Sequence, residues 1–151
     1  MTTQNGEEIS LSVFEGHPVL VSMFYASCPH VCPTTIANIK RIESRLSAEQ
    51  RKELRVLMVS VDAERDTPQK LRELVDRHQV DTDRWTFATP IAGGVRKVAA
   101  VLGVKYRKLP DGEFNHSTMI GLLDANGRVQ AQTARIANPE EKFVKAVQEH
   151  L

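Results

Sequence analysis

The chain has 151 residues, of which 41% are hydrophobic, and this is enough for one compact domain with its own core. Its 20 basic and 19 acidic residues nearly balance, and the basic residues are scattered along the sequence, which argues against nucleic-acid binding. No apolar run approaches the ~18 residues needed to span a bilayer, and the polar start does not resemble a signal peptide. We therefore expect a soluble single domain over residues 1–151.

The first part of the chain predicts strands alternating with helices. Residues 18–25 form a nearly unbroken apolar run with β-branched and aromatic side chains, which is typical of a strand buried on both faces. Residues 33–46 place apolar side chains at helical spacing opposite charged ones, which predicts an amphipathic helix. A second apolar run predicts a strand over residues 54–61. Thr67-Pro68 then predicts the N-cap and first residue of a helix that ends near residue 78.

The remaining predicted elements complete an α/β arrangement. They are a short strand over 85–88, a helix over 95–102 ended by Gly103, a hairpin with strands over 118–123 and 128–132 around Asn126-Gly127, and a final helix that begins at Asn138-Pro139. Each strand that is buried on both faces needs a helix layer on either side. The order of the elements therefore predicts an α/β sandwich.

Cys28 and Cys32 are the only cysteines, and they lie where the first predicted strand meets the first predicted helix. A helix start offers unpaired N–H groups and a partial positive charge, which favour thiolate over thiol. On one helix the two Cβ atoms would be ~5–6 Å apart, beyond the ~3.5–4.5 Å of a disulfide, so pairing needs a local adjustment. Pro33 disfavours helical geometry at Cys32, so we expect a loop over residues 28–32. This segment suits either reversible oxidation or capture of a soft metal.

Four sequence blocks carry a recognisable pattern: FYASCPHVCP (24–33), VSVDAERDTP (59–68), WTF with VLGV (85–87 and 101–104) and NHST (115–118). Together they resemble the SCO/SenC proteins, which assist copper-centre assembly in cytochrome c oxidase. The resemblance covers nearly the whole chain and implies a thioredoxin-like three-layer sandwich, with a central mixed sheet flanked by helices, a C-terminal β-hairpin and a closing helix. It also implies that Cys28, Cys32 and His116 bind copper, as Cu(I), Cu(II) or both.

Two thiolates and one imidazole suit Cu(I), whereas a structural zinc site usually takes a fourth protein ligand. Asn115 departs from the family pattern, which often has aspartate before the histidine, and a neutral amide cannot balance the charge of Cu(II). His30 is expected to be an exposed loop residue and not a ligand. Asp62, at a strand end beside the expected site, could tune its charge or contact a partner, but a solvated loop carboxylate that helps to cap the following segment is the preferred interpretation. Arg65 and Asp66 are interpreted in the same way.

Three functions are compared. The first is a metallochaperone that passes copper to the dinuclear copper site of cytochrome c oxidase. The second is a thiol-disulfide reductase in which Cys28 and Cys32 form the redox-active pair and reduce the cysteines of that target. The third is a peroxidase of the peroxiredoxin type, for which paired Cys-Pro units and a distant histidine are not needed.

The resemblance also bears on partners and location. It implies that the partners are the copper-site subunit of the oxidase or another copper protein, and a thiol-disulfide reductant. It implies an extracytoplasmic, periplasmic location with a membrane tether that the present chain lacks.

Overall fold

The computed structural model describes residues 1–27, 31–91, 94–103, 106–108, 110, 114–116, 119–135 and 138–151, with backbone only at 31–32, 106–108 and 114–116. The described strands are β1 (Thr2–Thr3), β2 (Val19–Phe24), β3 (Arg55–Ser60), β4 (Trp85–Thr89), β5 (Tyr106–Lys108), β6 (Phe114–His116), β7 (Ile120–Leu123) and β8 (Val129–Thr133). The described helices are α1 (Val31–Ser44), α2 (Ala48–Glu53), α3 (Pro68–His78), α4 (Gly94–Leu102) and α5 (Glu141–Glu149), with a 3-10 helix at Leu11–Phe14.

Six strands form one mixed sheet in the order β1-β4-β3-β2-β7-β8. Strands β2, β3 and β4 run parallel to their neighbours in this group, whereas β1, β7 and β8 pair antiparallel. Every residue of β2 is buried, as its nearly unbroken apolar sequence predicts for a central strand covered on both faces. Strands β5 and β6 form a separate two-stranded sheet. The predicted mixed α/β architecture is confirmed.

The local turn and cap predictions are also confirmed. The Thr67 side chain accepts a hydrogen bond from the Lys70 N–H at the start of α3. Gly103 has a φ of +66°, the left-handed conformation expected of a residue that ends a helix. The β7–β8 turn is closed by hydrogen bonds in which the Gly127 N–H donates to the Asp124 carbonyl and the Asp124 N–H donates to the Arg128 carbonyl.

The structure adds α2, β1 and the β5–β6 sheet to the predicted elements. Helix α2 buries none of its side chains, and its sequence accordingly lacks the apolar pattern that would predict a helix. A capping box between Ser47 and Gln50 stabilises its start. The final helix begins at Glu141 and not at Asn138-Pro139, which corrects its predicted start. The Thr133 hydroxyl donates to the Glu140 carboxylate at 2.6 Å, and Glu140 keeps an extended backbone.

A buried polar contact joins α1 to β4. The Glu43 carboxylate on α1 accepts hydrogen bonds from the Arg84 guanidinium and from the Trp85 indole N–H. Trp85 stacks on Phe87, and Phe87 meets Phe24 edge-on with ring centroids 5.6 Å apart. The Glu43 contacts anchor the C-terminal end of α1 to the sheet beside β4. Among the described residues, no helix has the length and apolarity to cross a bilayer.

His78 at the end of α3 makes acid stability testable. Its Nε2 is buried without a hydrogen-bond partner among the described residues. Burial lowers the pKa of His78 below 6.5, and the nearby charges of Arg77 and Lys40 lower it further. The folded protein disfavours the charged imidazole. The free energy of unfolding is therefore at its full value above pH 6.5, and it decreases as the pH falls from 6.5 through the lower pKa of the folded protein. We expect His78→Gln to reduce the loss of unfolding free energy between about pH 8 and pH 5.

Urea unfolding of the parent and of His78→Gln at both pH values measures this loss. At about pH 8 the imidazole of the parent is neutral. The difference in unfolding free energy between the two proteins at this pH therefore reports only the exchange of one uncharged side chain for another. An identical dependence on pH in the two proteins would contradict the prediction.

Candidate metal and thiol site

Three chain connections meet at one edge of the six-stranded sheet. Strands β2 and β3 are parallel, so they end at the same edge, with Phe24 opposite Ser60. Strand β7 is antiparallel to β2 and therefore begins there, with Ile120 opposite Ser22. The Val61 N–H donates to the Phe24 carbonyl at 2.7 Å, and the Ser22 hydroxyl donates to the Met119 carbonyl at 2.8 Å. The residues after β2, after β3 and before β7 therefore lie close together.

The first predicted site residue, Cys28, lies outside the described residues. It follows Phe24, the last residue of β2, by four positions, and Ser27 before it is exposed. Cys32 is the second residue of α1, so the expectation of a loop through residue 32 is wrong. Pro33 is tolerated in the first helical turn because an amide there has no intrahelical acceptor to lose. The backbone of Cys32 therefore lies at the positive end of the α1 dipole, which favours a thiolate.

His116 is the last residue of β6, and its backbone is paired with that of Tyr106 in β5. The sequence places this histidine directly before a strand of the predicted hairpin, but it belongs to a separate short strand, and β7 begins at Ile120. His116 and Met119 are three positions apart, so their Cα atoms are separated by at most about 11 Å. The backbone of His116 therefore lies within about 11 Å of Met119, whose carbonyl accepts a hydrogen bond from Ser22 of β2.

Asp66 is a buried carboxylate at the same edge. Its side chain accepts hydrogen bonds from the Ala26 N–H at 2.9 Å and from the Ser60 hydroxyl at 2.6 Å. Only 1% of Asp66 is exposed, so the expectation of a solvated loop carboxylate is wrong. Burial raises the pKa of Asp66, and the hydrogen bonds from Ser60 and Ala26 oppose this rise.

Asp62 is also buried, with 3% exposure, and this corrects the same expectation for it. Its N–H donates to the Ser60 hydroxyl, its carbonyl accepts from the Asp66 N–H, and its carboxylate is paired with Arg65. The loop between β3 and α3 therefore folds back onto the end of β2. One sequence signal could have indicated this: two carboxylates stand between a buried strand and a capped helix, and such a short connection has to satisfy its polar groups locally.

A shallow cleft of about 180 Å³ lies beside the chain that leads from β2 to Cys28. Ala26 and Ser27 form one wall, and side chains of α3, including Lys70, Glu73 and Arg77, form the other. Among the side chains that the structure describes, no group of three His, Cys, Asp or Glu residues could hold a metal ion. The described surface next to Cys28 is thus open and carries charges of both signs.

Comparison with known proteins yields one family. A family profile described as SCO1/SenC matches residues 1–151. A putative copper-binding protein from Stutzerimonas stutzeri is 32% identical over 134 residues, which cover 86% of this chain and 64% of the relative. The matched segments span 66% of the length of a SCO1 protein homolog from Bacillus subtilis, which is 27% identical over 129 residues, and 64% of the length of the Stutzerimonas protein.

Solved structures have the same fold. Copper-bound ScoI from Bradyrhizobium japonicum superposes with a TM-score of 0.81 at 25% identity, covering 99% of this chain and 95% of that one. A SCO1/SenC family lipoprotein from Bacillus anthracis superposes with a TM-score of 0.84 at 21% identity, covering 99% and 90%. The thioredoxin-like fold predicted by the resemblance is confirmed.

Proposed function

Because the chain belongs to the SCO1/SenC family, we propose that it is a copper chaperone that binds copper through Cys28, Cys32 and His116. Its role is to deliver the metal to the dinuclear copper site of cytochrome c oxidase. One observation carries the proposal: the end of β2 leads to Cys28, and the start of β7 follows His116, at a single edge of the sheet. The segments that carry Cys28 and His116 are more than 80 positions apart in the sequence, but they adjoin strand ends that are neighbours in the sheet.

The chemistry of the donor set supports copper. Two thiolates and an imidazole are soft or intermediate ligands, and Cu(I) is stable with few of them. The helix start at Cys32 favours the deprotonated thiol that metal binding requires. Asn115 precedes the histidine with a neutral side chain, so we expect a stronger hold on Cu(I) than on Cu(II). Copper is the cargo in this function, and the protein acts by binding and release.

A competition titration tests the three-ligand proposal. Reduced parent protein and His116→Ala are titrated with Cu(I) against a chelator of known affinity. We expect the variant to bind at least about tenfold more weakly, because even the loss of an outer-shell partner costs a metal site that much. The matched control is His150→Ala, which removes a histidine at the end of α5. Equal affinities for the parent and His116→Ala would refute the three-ligand set.

A thiol-disulfide reductase is the second candidate, and the position of Cys32 in the first turn of α1 favours it. In this function one thiolate attacks a disulfide of the target and the other resolves the mixed disulfide. Counting free thiols after mild oxidation tests whether the two cysteines can pair, and two persistent thiols would exclude the reductase. Exchange that is indifferent to His116 and to copper would favour the reductase over the chaperone.

The proposed role also defines partners and a location. We expect the recipient to be the copper-site subunit of the oxidase or another copper protein, and a separate reductant to restore the dithiol. The location expected for this function is extracytoplasmic, in the bacterial periplasm, with a membrane tether outside the 151 residues. We propose that residues 1–151 act as one thioredoxin-like unit.

A further inference from the structure

We propose that Asp66 is a positioning residue that holds the chain leading to Cys28 and thereby sets the distance over which Cys28 and Cys32 act together. The proposal rests on the proposed function only in taking these two cysteines as the working pair. It assigns a role to a buried carboxylate that is not among the proposed copper ligands.

The contact lies where regular strand pairing stops. The last residue pair of the parallel β2–β3 ladder is Phe24 with Ser60. Two residues later the Ala26 N–H donates to the Asp66 carboxylate at 2.9 Å. A side chain thus replaces the neighbouring strand as the acceptor, and it does so two residues before Cys28. The direction in which the chain leaves the sheet depends on this bond.

Asp66 itself is held from several directions. The Ser60 hydroxyl at the end of β3 donates to the same carboxylate oxygen at 2.6 Å. The Asp66 N–H donates to the Asp62 carbonyl at 2.9 Å. Its neighbour Thr67 caps α3. A side chain held by a strand end, a turn and a helix start has little freedom, so it can hold Ala26 in one place.

The arrangement is costly for a purely structural contact. Asp66 is 1% exposed, and its second carboxylate oxygen has no hydrogen-bond partner among the described residues. Burying a carboxylate without full pairing costs free energy, and an amide could accept the same two hydrogen bonds without a charge. The proposal therefore assigns the positioning role to the two accepted hydrogen bonds and not to the charge.

Both reactions of the pair depend on that position. Binding of Cu(I) by two thiolates and closure of a disulfide each need the sulfur atoms near one another, and a held chain raises their effective concentration. Loss of the Asp66–Ala26 bond therefore weakens both reactions together. A residue that affected only stability would leave both equilibria of the folded protein unchanged.

The test measures the dithiol–disulfide equilibrium in dithiothreitol buffers, without copper. Protein dithiol and oxidised dithiothreitol exchange two electrons and two protons to give protein disulfide and reduced dithiothreitol. We expect Asp66→Ala to shift the equilibrium toward the dithiol by at least about tenfold and to weaken Cu(I) binding by a similar factor, the range seen for supporting residues of metal sites. Asp66→Asn retains an acceptor and is expected to stay within about threefold of the parent, which is below that range.

Two further variants complete the design. Thr67→Ala removes the cap of α3 without touching Ala26, so it is expected to lower stability but to leave the equilibrium unchanged. Ser60→Ala removes one anchor of the carboxylate, and a smaller shift toward the dithiol is expected from it, which keeps the proposal testable if Asp66→Ala does not fold. The proposal would be overturned if the dithiol–disulfide equilibrium were unchanged in both Asp66→Ala and Ser60→Ala. It would also be overturned if Asp66→Ala and Asp66→Asn shifted this equilibrium equally. Because the exchange needs no copper, failure of the chaperone function leaves this test intact.

Discussion

Replacement of either cysteine by serine is expected to weaken Cu(I) binding by more than about 100-fold, which exceeds the usual cost of losing a supporting residue of a metal site. A serine hydroxyl is a hard, protonated oxygen at neutral pH and cannot replace a thiolate at a soft ion. Each single variant leaves one thiolate and His116, so the effect in Cys28→Ser and Cys32→Ser should be similar. This loss is larger than that expected for His116→Ala, in which both thiolates remain.

The measurement is the same Cu(I) competition titration, with Ser27→Ala as the matched control. Ser27 is the exposed residue directly before Cys28, so its removal tests whether any change in this segment weakens binding. Neither cysteine variant can form the intramolecular disulfide, and free-thiol counts should show this. Retention of full affinity by one of the two variants would mean that the cysteines do not act as a pair.

Leu20→Ala is expected to lower the free energy of unfolding by about 2–5 kcal/mol. Leu20 lies in β2, where it is paired with Val56 in β3 and with Leu122 in β7, and none of its surface is exposed. Truncation removes buried methyl groups and leaves a cavity at the centre of the sheet. Strand β2 carries the chain to Cys28, so this core position also supports the site.

Leu11→Ala is the matched control because it removes the same atoms from a side chain that is 56% exposed. We expect its effect on the free energy of unfolding to be about 0.5 kcal/mol or less. Urea unfolding of the three proteins measures both differences. Equal effects of the two substitutions would contradict the burial of Leu20. If Leu20→Ala does not fold, Leu20→Val is a milder substitution at the same position.

The proposed site combines residues that are close together in the sequence with residues that are far apart. Cys28 and Cys32 share one segment between β2 and α1, so their proximity follows from the local sequence. The start of β7, which follows His116 in the sequence, comes to the same edge because β7 pairs with β2. Asp66 reaches Ala26 across 40 positions because β3 pairs with β2 and the following loop folds back. One strand, β2, therefore organises all three parts of the proposed site.

Much of the fold could be predicted from adjacent residues. The apolar runs of β2 and β3, the Thr67-Pro68 cap of α3 and the Asn-Gly turn between β7 and β8 are local signals, and each matches its element in the structure. The location of the cysteine pair at a strand-to-helix junction is also a local property. Elements without an apolar pattern, such as α2 and the short β5–β6 sheet, gave no comparable signal.

Tertiary structure decided what depended on distant contacts. Asp62 and Asp66 are interpreted from the sequence as solvated loop residues, although both are buried. Their position between a buried strand and a capped helix signals only that the loop satisfies its polar groups locally, and it does not identify the end of β2 as the surface on which the loop packs. The start of α5 likewise depends on the contact between Thr133 and Glu140. Short patterns encode which residues can form a strand, a helix or a reactive pair. Burial of a carboxylate and the meeting of β2 with β7 depend on strand pairing between segments far apart in the chain, and only the folded chain defines that pairing.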